Sequence, residues 1–337
     1  MKSSSPTIRD VAALAGVSHQ TVSRVINGSR RVADETRNKV LDAIETLDYR
    51  PNAVARSMVH GKTKMLAFFA PDLIDFTHAS ILHAAEAEAR RLGFFLMGSA
   101  APNQKELKRL IDQLIQQRRV DGLVVLNPDI NGASEIIPDD THVIYICGKS
   151  PAEDNRTRVY LDNHEGAVNA IRHLVALGHT KIGMVTGPME QVSSQFRQKG
   201  FKTALNEAGI QLHPEWIHEG DWSATSGYNA FNLWKKNSLF PSAIFSQNDR
   251  MAIGIIRAAR DIGVRVPEDL SVIGFDDMPL ASYFDPPLTT MRQDMASIGR
   301  SAIALLVESF ENGQNSPNSV CFQAELVIRK STSSIIG

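Results

Sequence analysis

The stretch TIRDVAALAGVSHQTVSRVIN, residues 7–27, decides the fold at the start of this chain. Its apolar residues recur at helical spacing before and after the Ala15-Gly16 step, which predicts two short helices joined by a tight turn. Thr7 and Ser18 stand where the two helices would begin, and both are residue types that cap helices. The expected buried seam comprises Val11, Leu14, Val17, Val22, Val25 and Ile26.

The second predicted helix leaves polar side chains on its free face. Among them, His19, Gln20 and Arg24 are of the types that reach base edges and phosphates in a DNA major groove. The same pattern also fits an ordinary helical hairpin with a solvated face. The rest of the chain decides between these two interpretations.

Composition and charge limit the class of protein. A chain of 337 residues exceeds one typical domain, and 43% hydrophobic content is typical of globular chains. Residues 1–62 carry a net charge of +4 and the remainder −5, which suits a DNA-binding head on an acidic body. Cys147 and Cys321 are too few for a disulfide framework and lack metal-ligand spacing. With neither a signal peptide nor a membrane-spanning run, we expect a cytoplasmic protein without metal or cofactor.

The segment after the hairpin predicts a third helix and then a linker. Asp34–Leu47 places Val40, Leu41, Ile44 and Leu47 on one face, so three helices close a small core in a head of residues 1–50. In the linker, residues 51–62, Ala53–Val59 has too few residues and apolar anchors for a stable isolated helix. We therefore expect this segment to fold only when another molecule holds it.

From Met65 onward, short apolar runs alternate with helical patterns, which predicts doubly wound parallel α/β units. A body of residues 63–337 is too long for one small sheet, so we expect two lobes with a cleft between them. The boundaries are residues 63–161 and 293–320 for the N-terminal lobe, and 162–292 and 321–330 for the C-terminal lobe. The segment CFQAELVIRK, 321–330, is interpreted as the last strand.

The motifs together resemble the LacI/GalR family of bacterial transcription regulators. The resemblance rests on TIRDVAALAGVSHQTVSRVING, RPNAVARSM, HEGAVNAIRHLVALGHTKIGMVTG, SQNDRMAIG, DLSVIGFDD and PPLTT, and it extends to LVIRKST near the end. It implies a helix-turn-helix head, a body of periplasmic-binding-protein type, and a homodimer bound to a partly palindromic operator. One family member continues into a helical tail that joins dimers into tetramers, and this sequence leads us to expect a dimer.

The resemblance also implies which residues meet DNA. His19, Gln20 and Arg24 match base-reading positions of the recognition helix, although Tyr occurs in the family where this chain has His19. The residues placed to contact phosphates are Thr7, Ser18, Thr21, Asn27 and Arg30. The linker matches the hinge helix, with Met58 in place of Leu as the side chain that wedges into the minor groove.

A sugar site is expected where polar groups follow the strands of the body. Arg197, Trp222, Asn248 and Asp276 each follow a strand and match effector-binding positions, while Asp249 and Asp277 are interpreted as caps. The N-terminal lobe is expected to add Asp72, Leu73, Phe76, Ile81 and Leu161, and Gln293 completes the set. The chain departs from the family at Cys147-Gly148, where an acidic residue is absent, and at Met295, which replaces an aromatic residue.

The expected function is thus a repressor released from its operator by a small sugar, a galactoside or related glycoside. One alternative keeps the regulator but makes a purine its corepressor. A solute-binding protein for a transporter is a second alternative, which the basic head disfavours. An enzyme is the third, but the sequence contains neither a GxSxG elbow nor a P-loop.

Overall fold

The computed structural model describes residues 6–26, 29, 31–49, 63–115, 117, 119–127, 133–148, 156–236, 240–312 and 319–335. The chain divides into two units, Met1–Lys64 and Met65–Gly337. Asn27, Arg30 and Met58, together with linker residues 51–62, lie outside the described residues.

The described residues of the first unit form three helices, α1 (Ile8–Ala15), α2 (His19–Ile26) and α3 (Asp34–Thr46). Asp10 accepts hydrogen bonds from the backbone N–H and the hydroxyl of Thr7, at 2.7 and 2.8 Å, in a capping arrangement. Ser18 accepts one from the N–H of Thr21 at 3.1 Å, so its predicted capping role is confirmed. Gly16, with φ 66°, makes the turn between α1 and α2.

Two residues that were predicted to be buried are not, namely Leu14 of the seam and Leu41 of the third helix. Leu14 is 53% exposed and Leu41 is 49% exposed. The buried stripe of α1 runs through Val11 and Ala12, and that of α3 through Val40 and Ala43. At about 100° per residue, Leu14 and Leu41 lie roughly a third of a turn from the centre of their stripes. Apolar spacing alone did not separate the centre of a helix face from its edge.

The N-terminal lobe of the body is built on six parallel strands in the order β2-β1-β3-β4-β5-β11. The strands are β1 (Met65–Ala70), β2 (Phe95–Ala100), β3 (Gly122–Leu126), β4 (Val143–Gly148), β5 (Arg158–Leu161) and β11 (Val320–Phe322). The helices are α4 (Phe76–Arg91), α5 (Gln104–Leu114), α6 (Ala133–Ile136) and α11 (Met295–Asn312). One hydrophobic cluster lies under α4 and α11, and a second lies under α5.

The C-terminal lobe repeats this architecture with strand order β7-β6-β8-β9-β10-β12, and β12 alone runs antiparallel to its neighbour β10. Its strands are β6 (Ile182–Thr186), β7 (Ile217–Glu219), β8 (Ala243–Ser246), β9 (Ser271–Asp276), β10 (Thr289–Arg292) and β12 (Glu325–Val327). Its helices are α7 (Asn163–Ala176), α8 (Val192–Glu207), α9 (Ala224–Lys236) and α10 (Asp249–Asp261), with 3-10 turns at Pro214–Trp216 and Pro279–Tyr283. The buried strands are the continuous apolar runs of the sequence, because both faces of a parallel sheet are covered by helices.

The interpretation of CFQAELVIRK as one strand is wrong. Val320–Phe322 pairs in parallel with β5 in the N-terminal lobe, whereas Glu325–Val327 pairs with β10 in the C-terminal lobe. The chain therefore changes lobes between these two short strands. Among the described residues, no helix has the length and apolar character that crossing a membrane requires.

Candidate functional site

A cavity of about 410 Å³ lies at the carboxyl ends of strands from both sheets of the body. The structure brings eight of the ten expected effector residues to this cavity, namely Arg197, Trp222, Asn248, Asp276, Asp72, Ile81, Leu161 and Gln293. Phe76 does not line the cavity, because it begins α4 and packs with Leu73 against the N-terminal-lobe core.

Arg197, on α8, is a buried cation held by three kinds of contact. Its Nε donates to Asn163 Oδ1 at 2.7 Å, and its Nη1 donates to the carbonyl of Gln247. Its Cζ lies 3.7 Å from the ring centroid of Phe275, a cation–π contact. Burial lowers the pKa of Arg197 to about 10, so the side chain stays charged near neutral pH. A guanidinium carries more N–H donors than these bonds use, which leaves donors for a ligand.

Asp276 faces Arg197 at the end of β9. The Arg197 Nη1 and Asp276 Oδ1 atoms are 4.0 Å apart, and Gln293 Nε2 donates to the same Oδ1 at 2.5 Å. Burial raises the pKa of Asp276 well above its usual range, and the charge of Arg197 opposes that rise. A carboxyl group and a guanidinium side by side present both acceptors and donors to a hydroxylated ligand.

Trp222 supplies an aromatic face beside this pair. Its ring lies against Gly187, where a Cβ atom would come within 2.0 Å of the indole, so glycine makes room for the ring. Its Nε1 donates to Gln191 Oε1 at 3.0 Å, and its carbonyl accepts from Asn248 Nδ2 at 3.0 Å. The first bond holds the indole, and the second holds the backbone that carries it.

Asn248 both caps a helix and lines the cavity. Its Oδ1 accepts from the N–H of Met251 at 2.8 Å, so it is the cap of α10, and Asp249 is the residue after the cap. The interpretation of Asp249 and Asp277 as caps is wrong. Asp249 is fully buried and accepts hydrogen bonds from the N–H of Met278 and the hydroxyl of Thr290. Asp277 forms ion pairs with Arg292 and Arg329 at 2.7 and 2.6 Å.

The N-terminal lobe contributes an apolar surface to the cavity. Its five aliphatic side chains are each between 3 and 4% exposed, and they are Ile81, Leu126, Ile146, Leu161 and Ile298. Two positions of this lobe differ from the family pattern. Met295 belongs to the core of the lobe and does not line the cavity. The side chain of Cys147 lies outside what the structure describes.

Sequence reasoning missed several polar lining residues, chiefly Asp75, His78, Asn127, Asn163, Gln191 and Arg250. Asp75 caps α4 by accepting from the N–H of Thr77 at 2.9 Å, and its Oδ2 lies 3.7 Å from Arg250 Nη1 of the other lobe. Asn127 and Asn163 directly follow β3 and, after one residue, β5. The signal that identified Asn248, a polar residue just beyond a strand, applies to these positions as well.

The head presents its own candidate interface. His19, Gln20 and Arg24 are exposed on α2, while Val22 and Val25 of the same helix are buried in the core of the head. Thr7 and Ser18 are exposed near the starts of α1 and α2, and Thr21 is half-buried. This arrangement leaves one polar face of α2 available to a groove of DNA.

Comparison with known proteins decides the family. The model of bacterial regulatory proteins of the lacI family matches residues 7–52, and that of the periplasmic binding protein-like domain matches residues 171–332. The HTH-type transcriptional repressor PurR of Mannheimia succiniciproducens is 37% identical over 98% of this chain and 99% of its own length. The chain belongs to the LacI family. PurR of Pasteurella multocida is 36% identical over 97% of this chain and 99% of its own length.

Solved structures of similar regulators agree in fold. The lac repressor dimer bound to operator and the anti-inducer ONPF matches with a TM-score of 0.90 and 32% identity, over 98% of this chain and all of the other. The CelR–cellobiose complex matches with a TM-score of 0.71 and 30% identity, over 97% and 99% of the two chains. The chain is thus a DNA-binding repressor of this family with an effector-binding body, and not an enzyme.

Proposed function

We propose that this protein represses a sugar-utilisation operon and that a small glycoside, a galactoside or a related sugar, releases it from its operator. The observation that carries the proposal is the two-sided cavity. Arg197, Asp276 and Trp222 offer donors, acceptors and one aromatic face to a sugar ring, and the aliphatic side chains of the N-terminal lobe offer a surface to an apolar substituent.

A purine corepressor is the second candidate, and the relatives named PurR favour it. A planar purine is held best between two apolar faces. Among the described lining residues, Trp222 alone provides an indole or phenyl ring, because Phe76 packs against the core and does not reach the cavity. A second aromatic face for a purine is therefore absent from these residues. The cavity therefore supports a sugar better than a purine.

Isothermal titration calorimetry tests the choice of effector. We expect methyl β-D-galactopyranoside or cellobiose to bind the wild type, and Asp276→Asn to weaken that binding by about a hundredfold. Hypoxanthine and guanine serve as the purine probes in the same experiment. Binding of a purine with no binding of either sugar would replace the first candidate by the second.

On the DNA side, we propose that His19, Gln20 and Arg24 read bases. Thr7, Ser18, Thr21, Asn27 and Arg30 contact phosphates, which position the head without reading sequence. Met58 acts as the side chain that wedges into the minor groove, on a hinge that folds on the operator. The two heads of a homodimer then bind one palindromic operator, at the nucleoid in the cytoplasm. Met58→Ala is expected to weaken specific binding far more than non-specific binding, and equal losses would contradict the wedge.

Inducer and operator act on each other through linkage. An effector that weakens operator binding by some factor must itself bind more weakly by the same factor when operator is present. Measuring inducer affinity with and without operator checks this reciprocity.

A further inference from the structure

The turn that carries Asp276 has a backbone conformation that side chains disfavour. Asp276 has φ 117° and Asp277 has φ 55°, so two consecutive non-glycine residues lie in the positive-φ region. Such a turn persists only where surrounding contacts hold it. Asp277 is held from one side by its ion pairs with Arg292 and Arg329.

Asp249 holds the turn from the other side. This residue follows the cap of α10, is 0% exposed, and is not among the residues that line the cavity. Its Oδ2 accepts from the backbone N–H of Met278 at 2.8 Å, and its Oδ1 accepts from the Thr290 hydroxyl at 2.5 Å. One carboxyl group therefore joins a helix, the turn and strand β10.

The neighbouring backbone is shaped around this carboxyl group. A Cβ atom at Gly274 would lie 2.3 Å from Asp249 Oδ1, so glycine at this position permits the close approach. Burial raises the pKa of Asp249 to about 7, while the hydrogen bonds from Thr290 and Met278 oppose that rise. An ionisable group kept in the core at such a cost needs a role that an apolar residue does not perform.

We propose that Asp249 is a positioning residue of the effector site, which fixes residues 276–278 so that the Asp276 carboxyl group stays beside Arg197. The inference rests on the proposed function, because it gives Asp276 the task of holding the effector. Asp249 acts through the turn and does not touch the ligand.

The test compares Asp249→Ala, which removes both acceptors, with Asp249→Asn, which keeps an oxygen for the N–H of Met278. The control is Asp261→Ala at the other end of the same helix, where the carboxylate pairs with Arg257 at 2.9 Å. Hydrogen–deuterium exchange is followed in peptides spanning residues 274–280, with residues 217–236 as an internal reference. Affinity for methyl β-D-galactopyranoside and cellobiose is measured by calorimetry.

We expect Asp249→Ala to speed exchange of 274–280 by about tenfold and to weaken sugar affinity by about tenfold, with the reference peptide unchanged. Asp249→Asn should restore both values to within about threefold of the wild type, and Asp261→Ala should change neither. A general loss of packing would instead speed exchange throughout the C-terminal lobe.

Unchanged exchange of 274–280 in Asp249→Ala would overturn the inference. If the wild type binds neither sugar, the proposed effector class fails, yet the exchange result still decides whether Asp249 holds the turn. If Asp249→Ala does not fold, Thr290→Val takes its place, because it removes one donor and leaves the carboxyl group. A threefold faster exchange in Thr290→Val, on the order expected for one lost hydrogen bond, supports the inference, and no change contradicts it.

Discussion

The two walls of the body cavity differ in what their side chains are made of and in what holds them. The polar and aromatic groups of the C-terminal-lobe wall are held mainly by bonds within their own lobe, as Arg197 is by Asn163 and Trp222 by Gln191. The N-terminal lobe also lines the cavity with polar residues such as Asp72 and His78, but it adds five aliphatic side chains, which form the aliphatic wall. Of these, Ile81 and Ile146 belong at the same time to the lobe's hydrophobic core. A ligand in the cavity thus meets orienting polar groups and, at the aliphatic wall, a continuation of a core.

Because of this difference, we expect the two walls to contribute to ligand binding in different ways. Preorganised polar groups set which ligand binds and in which orientation, while apolar area adds affinity without direction. The polar wall is therefore the place where single substitutions should have their largest effects, and the aliphatic wall should respond according to the substituent on the sugar.

The largest expected effect is on the polar wall. Arg197→Ala and Asp276→Asn should each weaken binding of the effector by about a hundredfold, because each leaves its buried partner without its counter-charge. Calorimetry with the sugar that binds the wild type measures the loss, and operator affinity should remain at the wild-type level. Arg172→Ala, which removes an exposed arginine of the same lobe, is the matched control. Near-normal release of operator by sugar in both variants would remove these residues from the site.

A smaller effect is expected on the aliphatic wall. Ile81→Val removes one methylene, which is worth about 1 kcal/mol, or roughly fivefold in affinity. This loss should be seen with an aryl galactoside and be absent with free galactose, whose ring meets the polar wall. The comparison of the two ligands in one variant separates lost contact from lost stability. Equal losses for both ligands would show that the two walls do not divide the ligand as proposed.

The smallest effect concerns the ion pair that joins the walls. Asp75 and Arg250 are 3.7 Å apart, and the Arg250 side chain is 44% exposed, so solvent screens much of their attraction. Asp75→Asn keeps the cap of α4, and Arg250→Gln removes only the cation. Each variant should change the effector concentration for half-release of operator by about twofold, and a double-mutant cycle should give a coupling below about 1 kcal/mol. Strict additivity of the two changes would show that the pair is not coupled.

The walls also differ in how far the sequence predicted them. In the C-terminal lobe, continuous apolar runs mark buried strands, and Asn248 and Asp276 stand at their ends, so the positions follow from strand recognition alone. In the other lobe, Leu126, Ile146 and Ile298 cannot be told from core residues by pattern, because they are core residues that also reach the cavity.

Three further predictions were wrong because each was drawn from neighbouring residues in the sequence alone. Phe76 was expected at the cavity because it follows a strand. Asp75 caps α4, so Phe76 is the first residue of the helix, and its ring packs against the core. The role of Asp249 depends on the Met278 N–H and the Thr290 hydroxyl, which lie 29 and 41 residues away along the chain. The split of CFQAELVIRK between two sheets depends on the crossing of the chain between lobes.

Release of operator by ligand is the most direct test of the central claim. A palindromic operator is first obtained by in vitro selection with the full chain, and its affinity is then followed by fluorescence anisotropy during titration with methyl β-D-galactopyranoside and cellobiose. The account predicts that one of these sugars weakens operator binding of the wild type by tenfold or more, on the order of 1.4 kcal/mol of coupling, and leaves Asp276→Asn bound. Operator binding that no sugar weakens and that hypoxanthine or guanine strengthens would contradict it.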